Sequence, residues 1–229
     1  MNRLSKSTML GGLALAGMLV SPYFALIYAS VEKEQRLAQK IFYFHVPCGW
    51  VSFLSFFVVF VASILYLWKK DRVYDLWASS AAEVGVLFCT LVLLTGPIWA
   101  KPIWNAWWVW DAKLTATLVL WLVYVAYLML RSYGGDAAQN AKFRAVLGII
   151  GFLDVPLIYF SVNLWRTMHP PQLVVKGNLQ ADMFQAFMVC LVTFTIMFFA
   201  ILFQRVSLAK AEEALEMIQA DLQERGHES

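Results

Sequence analysis

The chain has 229 residues, of which 61% are hydrophobic and only 14% charged, against about 25% charged in an ordinary soluble domain. Mean hydropathy is +0.64, and the charges fall in short patches between long apolar runs, a pattern that excludes a globular core and marks a membrane protein. The formal charge of +3 comes from 18 basic residues scattered over segment ends, without the basic stripe that phosphate binding needs, so no nucleic acid is expected as a partner.

A hydrocarbon core requires about 20 apolar residues per helix. The first uncharged run, residues 7–31, follows Arg3 and Lys6. It is longer than the apolar part of a signal peptide, about 7 to 15 residues, and no clear cleavage site follows, so it is expected to remain as an anchor. The second run, 41–68, carries Pro47 and Gly49 near its start, which places the beginning of the helix proper there and His45 at its mouth. The third, 76–99, is interrupted only by Glu83, and the fourth, 114–130, ends at Arg131. The fifth, 145–165, contains Asp154 close to Pro156, and the sixth, 183–204, is uncharged. The predicted fold is an all-α polytopic membrane protein with six transmembrane helices and an amphipathic, interfacial Trp-rich segment between the third and fourth.

Six crossings put both termini on one side, and the two sets of connections then hold 11 and seven Lys plus Arg residues. The excess lies with the termini, which are expected in the cytoplasm. After the last span, Leu208, Ala211, Leu215, Ile218 and Leu222 recur at steps of three and four, so residues 206–229 read as a cytoplasmic amphipathic tail and residues 1–205 as the membrane domain. His227 belongs to the polar end of that tail and is assigned no chemistry. Cys48, Cys89 and Cys190 are far apart and form neither Cys-x-x-Cys nor Cys-x-x-Cys-His, which excludes a disulfide framework and covalent haem attachment. Cys89 and Cys190 read as packing residues, while Cys48, near a segment boundary, is reachable.

The outer connections hold the residues with chemistry. His45 precedes Val46-Pro47 and His169 precedes Pro170-Pro171, two imidazoles on the same side, each beside a stiffening proline. Each alone reads as an interfacial polar residue. Together they have the makings of an axial pair on a haem iron, which needs one nitrogen from each side, whereas a mononuclear zinc or copper site would want more ligands. Between the third and fourth spans, Trp99, Trp104, Trp107, Trp108 and Trp110 bring five of the ten tryptophans into one short stretch that ends in Asp111. An aromatic belt is one reading. If the stretch is helical, Trp104, Trp107, Trp108 and Asp111 share a face, an apolar platform on which a porphyrin can stack. Haem propionates need cations, and Lys101, Lys113 and Arg166 are the nearest. Arg166 is preferred because its planar fork grips a carboxylate in two places. Anchoring to lipid headgroups is the other reading of these three.

These residues carry a resemblance. The stretch Trp104-Asn-Ala-Trp107-Trp108-Val-Trp110-Asp111 resembles the tryptophan-rich "WWD" signature of haem-handling proteins in cytochrome c biogenesis. His45-Val-Pro, Ser161-Val-Asn-Leu-Trp165-Arg-Thr-Met-His169 and the six spans are similar to the short members of that group, the cytochrome c maturation protein C family. The resemblance implies a haem-binding subunit of the bacterial inner membrane that holds haem b non-covalently at the periplasmic face. His45 and His169 would be its axial ligands, supported by Trp104, Trp107, Trp108, Trp110 and Asp111. It further implies an ATP-binding cassette transporter with its ATPase and membrane subunits, a small single-span subunit, and a periplasmic haem chaperone that receives the haem. This chain has no Gly-x-x-x-x-Gly-Lys-Ser/Thr loop, so ATP hydrolysis would fall to the partner. Two positions depart from the pattern: Asn105 stands where glycine is usual, and Lys113 where arginine is usual, which weakens Lys113 as a bidentate propionate partner.

No nucleophile–base pair, dinucleotide fingerprint or metal–water site is present, so no enzymatic activity is expected. Two other readings stand beside haem transfer. One is a b-type electron-transfer subunit, which would normally place its histidines within the spans. The other is a haem-free transporter subunit in which the intramembrane carboxylates Glu83 and Asp154 line a polar path.

Overall fold

The computed structural model describes residues 6–132, 137–165, 168–169 and 179–227, and no β-strand is formed among the described residues. Helix α1, Lys6–Tyr23, runs into a single π turn, Phe24–Tyr28. A short 3-10 turn, Leu37–Ile41, leads into α2, Phe42–Lys69, and α3, Arg72–Trp104, returns beside it. Then come α4, Ala112–Ser132, α5, Ala137–Phe152, α6, Asp154–Leu164, and α7, Ala181–His227. Among the described residues, six stretches are long and apolar enough to cross a membrane, α5 and α6 jointly making the fifth. The six-span, all-helical architecture is the one that the apolar runs predict, because in lipid only a helix satisfies its own backbone.

The element ends differ from the apolar runs for identifiable reasons. Helix α2 starts at Phe42, ahead of Pro47. The missing amide of Pro47 costs a bond in the opening turns, so His45 stands inside the first turns and not before them. Helix α3 runs through Pro97 and Pro102 and stops at Trp104, where Asn105 takes left-handed dihedrals, φ 53° and ψ 20°. The fifth span is broken at Leu153. Pro156 cannot donate to the carbonyl of Phe152 and its ring crowds that oxygen, and the Leu153 amide turns back to Ile150 O at 3.1 Å. Pro156 is then tolerated in the first turn of α6, where its missing amide is no loss. Helix α7 does not end with the apolar run at 204. No proline or glycine occurs between Ala181 and Arg225, and the amphipathic tail is its direct continuation.

The core lies where α2, α3 and α7 meet. Val51, Phe56 and Val59 pack with Ala78, Ala81 and Ala82 and with Phe194, Phe198 and Leu202. Small residues on α3 allow this approach, as membrane helices require. A β-carbon on Gly85 would lie 2.5 Å from the Phe56 ring. Phe56 stacks on Tyr124 of α4 with centroids 3.8 Å apart, and the Tyr124 hydroxyl donates to Gly148 O of α5 at 3.0 Å. At the end of the bundle away from His45, Glu83 accepts from Arg131 Nη1 at 3.2 Å and from Arg205. Beside it, Arg144 grips Asp75 through Nη2 at 2.6 Å and Nε at 3.3 Å, and Arg72 pairs with Glu213 of α7. Helix α1 packs along α7.

Candidate functional site

The start of α2, the end of α3, the start of α4 and the stretch after α6 all reach the same end of the bundle, and a mostly apolar cavity opens between them. Its empty space is about 820 Å³, part of it open to solvent. His45, His169, Trp104, Trp108 and Lys113 line it together with Gln35, Trp99 and Met168. Histidines 124 positions apart in sequence thus share one cavity.

Each imidazole is held by an aromatic edge. His45 meets Trp99 edge-to-face with centroids 5.6 Å apart, and its Nδ1 lies 2.8 Å from Thr95 Oγ1. His169 meets Trp104 in the same manner at 6.3 Å. The Trp99 indole in turn donates to Gln35 Oε1 at 3.1 Å, so the connection between α1 and α2 is tied to the ring that orients His45. Trp108 Nε1 is buried without a hydrogen-bond partner among the described residues. A buried donor left unmet is costly.

The tryptophan stretch is not a helix. Between Trp104 and Ala112 the backbone is irregular, because the left-handed turn at Asn105 ends α3 and Asp111 starts α4 anew. The single face of three indoles and a carboxylate is therefore not formed. Trp104 and Trp108 line the cavity, whereas Trp107 and Trp110, 60% and 76% exposed, point outward, Trp110 meeting Trp108 edge-to-face at 5.7 Å. Asp111 serves as the N-cap of α4. Its Oδ1 accepts from the Leu114 amide at 2.8 Å and its carbonyl from the Thr115 amide at 3.0 Å. Asn105 explains the departure from glycine, since asparagine is the side chain that best tolerates left-handed backbone.

The candidate cations divide. Lys113 stands in the first turn of α4 and lines the cavity. Lys101 is engaged at the end of α3, where its Nζ donates to both the carbonyl and the side-chain oxygen of Asn105 at 3.2 Å. Arg166 lies outside the described residues. Of the two intramembrane carboxylates, Glu83 is held by two arginines, and Asp154 Oδ2 is buried without a partner among the described residues. All three cysteines are buried, including Cys48, which packs in the core and is not the reachable thiol that its position near a segment boundary indicated.

Sequence reading missed Gln35, Thr95 and Met168. The first two meet their partners across 64 and 50 positions, a separation that no local spacing reveals, while Met168 was beside His169 in plain view. Among the described residues no three of His, Cys, Asp or Glu converge, and the imidazoles that line the cavity are two. That is the number of ligands a porphyrin-held iron leaves to the protein, and with the flat indole walls, the cation and the unmet Trp108 donor the residues fit a haem.

Residues 2–220 match the family model described as Heme exporter protein C. A cytochrome c biosynthesis ccmC-like mitochondrial protein of Marchantia polymorpha is 36% identical over 149 residues, 65% of this chain and 63% of that protein, a little under two thirds of its length. Heme exporter protein C of Bradyrhizobium diazoefficiens is 33% identical over 195 residues, 82% of this chain and 74% of the relative. The Escherichia coli K12 protein of the same name is 33% identical over 142 residues, 62% of this chain and 58% of the relative. With six apolar spans and a family match over nearly its whole length, the chain belongs to the Heme exporter protein C family of membrane proteins.

Proposed function

We propose that this chain is the haem-holding subunit of an exporter of the bacterial inner membrane, which keeps haem b at the periplasmic face and passes it to a periplasmic haem chaperone for c-type cytochrome biogenesis. The observation that carries this reading is the convergence of His45 and His169 on one cavity walled by Trp104 and Trp108. Bound there, haem would bring an iron with two axial positions and two propionates. His45 and His169 would be the protein's ligands to its iron, Trp104, Trp108 and Trp99 would keep water from it, and Lys113, with Arg166 as the second cation, would offer charge to its propionates. Trp107 and Trp110, exposed beside the opening, are the surface that the chaperone and lipid would meet.

The remaining assignments follow the same reading. The 11-to-seven distribution of basic residues supports cytoplasmic termini and a periplasmic cavity, with residues 206–229 as a cytoplasmic extension. The ATPase and membrane subunits of the cassette transporter and the small single-span subunit are the partners, and this chain acts as a transporter component, not an enzyme. Glu83, occupied by Arg131 and Arg205, is not free to line a polar path, which weighs against the haem-free transporter reading.

An absorption spectrum of the purified protein, as isolated and after dithionite, tests the ligands. A six-coordinate haem spectrum is expected, lost in the His45→Ala, His169→Ala double variant while membrane insertion is kept. A double variant with an unaltered spectrum would show the axial assignment to be wrong, and no haem even on reconstitution with the partners would favour the transporter reading.

A further inference from the structure

We infer that Thr95 is a positioning residue that locks the proton of His45 on Nδ1 and so presents a bare Nε2 to the cavity. The inference rests on the reading of His45 as an iron ligand. Thr95 Oγ1 lies 2.7 Å from Leu91 O and 2.8 Å from His45 Nδ1. A carbonyl oxygen only accepts, so two oxygens at 2.7 Å must have a hydrogen between them, and the Thr95 hydroxyl has only one. That hydrogen is committed to Leu91 O, one turn back in α3, the habitual partner of a threonine inside a helix. The lone pairs of Oγ1 then face His45, and the imidazole must be the donor. A neutral imidazole with its proton on Nδ1 has its lone pair on Nε2.

The surroundings hold the ring in that orientation. Thr95 is not part of the cavity lining, whereas His45 is, so the nitrogen bonded to Thr95 is the one turned away from the cavity. Gly96 leaves the ring lying against α3, where a β-carbon would be 3.5 Å from His45 Cε1. Pro97, the following residue, brings no amide of its own to compete. Trp99 closes the remaining side with its edge. A metal-binding histidine characteristically donates its other N–H to a fixed acceptor, which sets the tautomer and raises the basicity of the ligating nitrogen, and removing such an acceptor weakens metal binding about 10- to 100-fold. Here the acceptor is a hydroxyl whose direction is set by the helix, so the ligand is preorganised before any haem arrives.

The test has two arms, both on the full-length protein in nanodiscs. In the first, nitrogen chemical shifts of ¹⁵N-histidine protein without haem report the tautomer of His45, assigned by the signals lost in His45→Ala. Wild type and Thr95→Ser are expected to show protonated Nδ1 and bare Nε2, and Thr95→Val, which keeps the shape but not the acceptor, to show the proton moving to Nε2. A wild-type His45 protonated on Nε2, or a tautomer unchanged in Thr95→Val, overturns the inference. In the second arm, the rate of haem loss to excess apomyoglobin is expected to rise about 10- to 100-fold in Thr95→Val and to return close to wild type in Thr95→Ser. If His45→Ala loses the six-coordinate spectrum while Thr95→Val releases haem at the wild-type rate, the positioning role fails and the ligand stands. If His45→Ala leaves the spectrum intact, the ligand reading fails, whatever the tautomer.

Discussion

Asp111 separates two accounts of the tryptophan stretch, and its replacement gives a graded expectation. Its carboxylate accepts from the Leu114 amide at 2.8 Å, and the first turn that it starts carries Lys113 and, one turn on, Thr117 into the cavity. Loss of an N-cap acceptor costs about 0.5–2 kcal/mol, and loss of a negative charge at a helix N-terminus a further 0.3–1 kcal/mol or so. Asp111→Ala removes both, about 1–3 kcal/mol, and at 1.4 kcal/mol per tenfold the amides of the first turn of α4 should exchange with deuterium roughly 5- to 150-fold faster. Asp111→Asn keeps the acceptor and loses only the charge, so about two- to fivefold is expected. Hydrogen-exchange mass spectrometry on peptides covering residues 112–117, in nanodiscs, reads both. Haem retention should follow the same order, because Lys113 is placed by that turn. Equal effects of the two variants, or no effect of Asp111→Ala, would refute the capping role and return Asp111 to direct contact with the cofactor.

Other substitutions have defined outcomes. Asn105→Ala puts a β-carbon without a compensating polar group into left-handed backbone, at about 1–2 kcal/mol, and removes one of two acceptors of Lys101. Asn105→Gly relieves the angle, so thermal midpoints in detergent should rank alanine lowest, with glycine near or above wild type. Asp75→Asn leaves Arg144, 8% exposed, without its charge partner and should cost about 3–5 kcal/mol, much of it recovered by replacing both residues with Leu and Met. A melting curve for Asp75→Asn that matches wild type would contradict the pairing.

The six spans were legible because lipid imposes one demand, an uninterrupted apolar run, and residues 7–31 or 183–204 meet it without help from the rest of the chain. Element ends were not, since beyond the hydrocarbon a helix stops only where something stops it. Pro47 lies inside α2, which absorbs it and does not begin there, whereas Pro156 crowds the carbonyl four residues before it and breaks the fifth span at Leu153. The two histidines were found through their repeated proline settings, and their shared cavity follows from even-numbered crossings that return each to the same side. The division of the tryptophans into inward and outward pairs was hidden, because it depends on a backbone reversal at Asn105 that a helical wheel cannot represent.

Helix α7 has a mechanical consequence. Its 47 residues extend about 70 Å at 1.5 Å per residue, more than twice the hydrocarbon thickness of about 30 Å, and no proline or glycine interrupts it before Gly226. At its beginning Asp182 accepts from the Ser30 amide at 2.7 Å and Gln185 from the Tyr28 hydroxyl at 2.5 Å, so it grips the stretch that leads toward Gln35. Such a rod has no joint in which to lose motion. A 10° tilt about its middle moves each tip by about 6 Å, so a force applied at Leu215 or Leu222 acts through a lever arm on the rim of the histidine cavity.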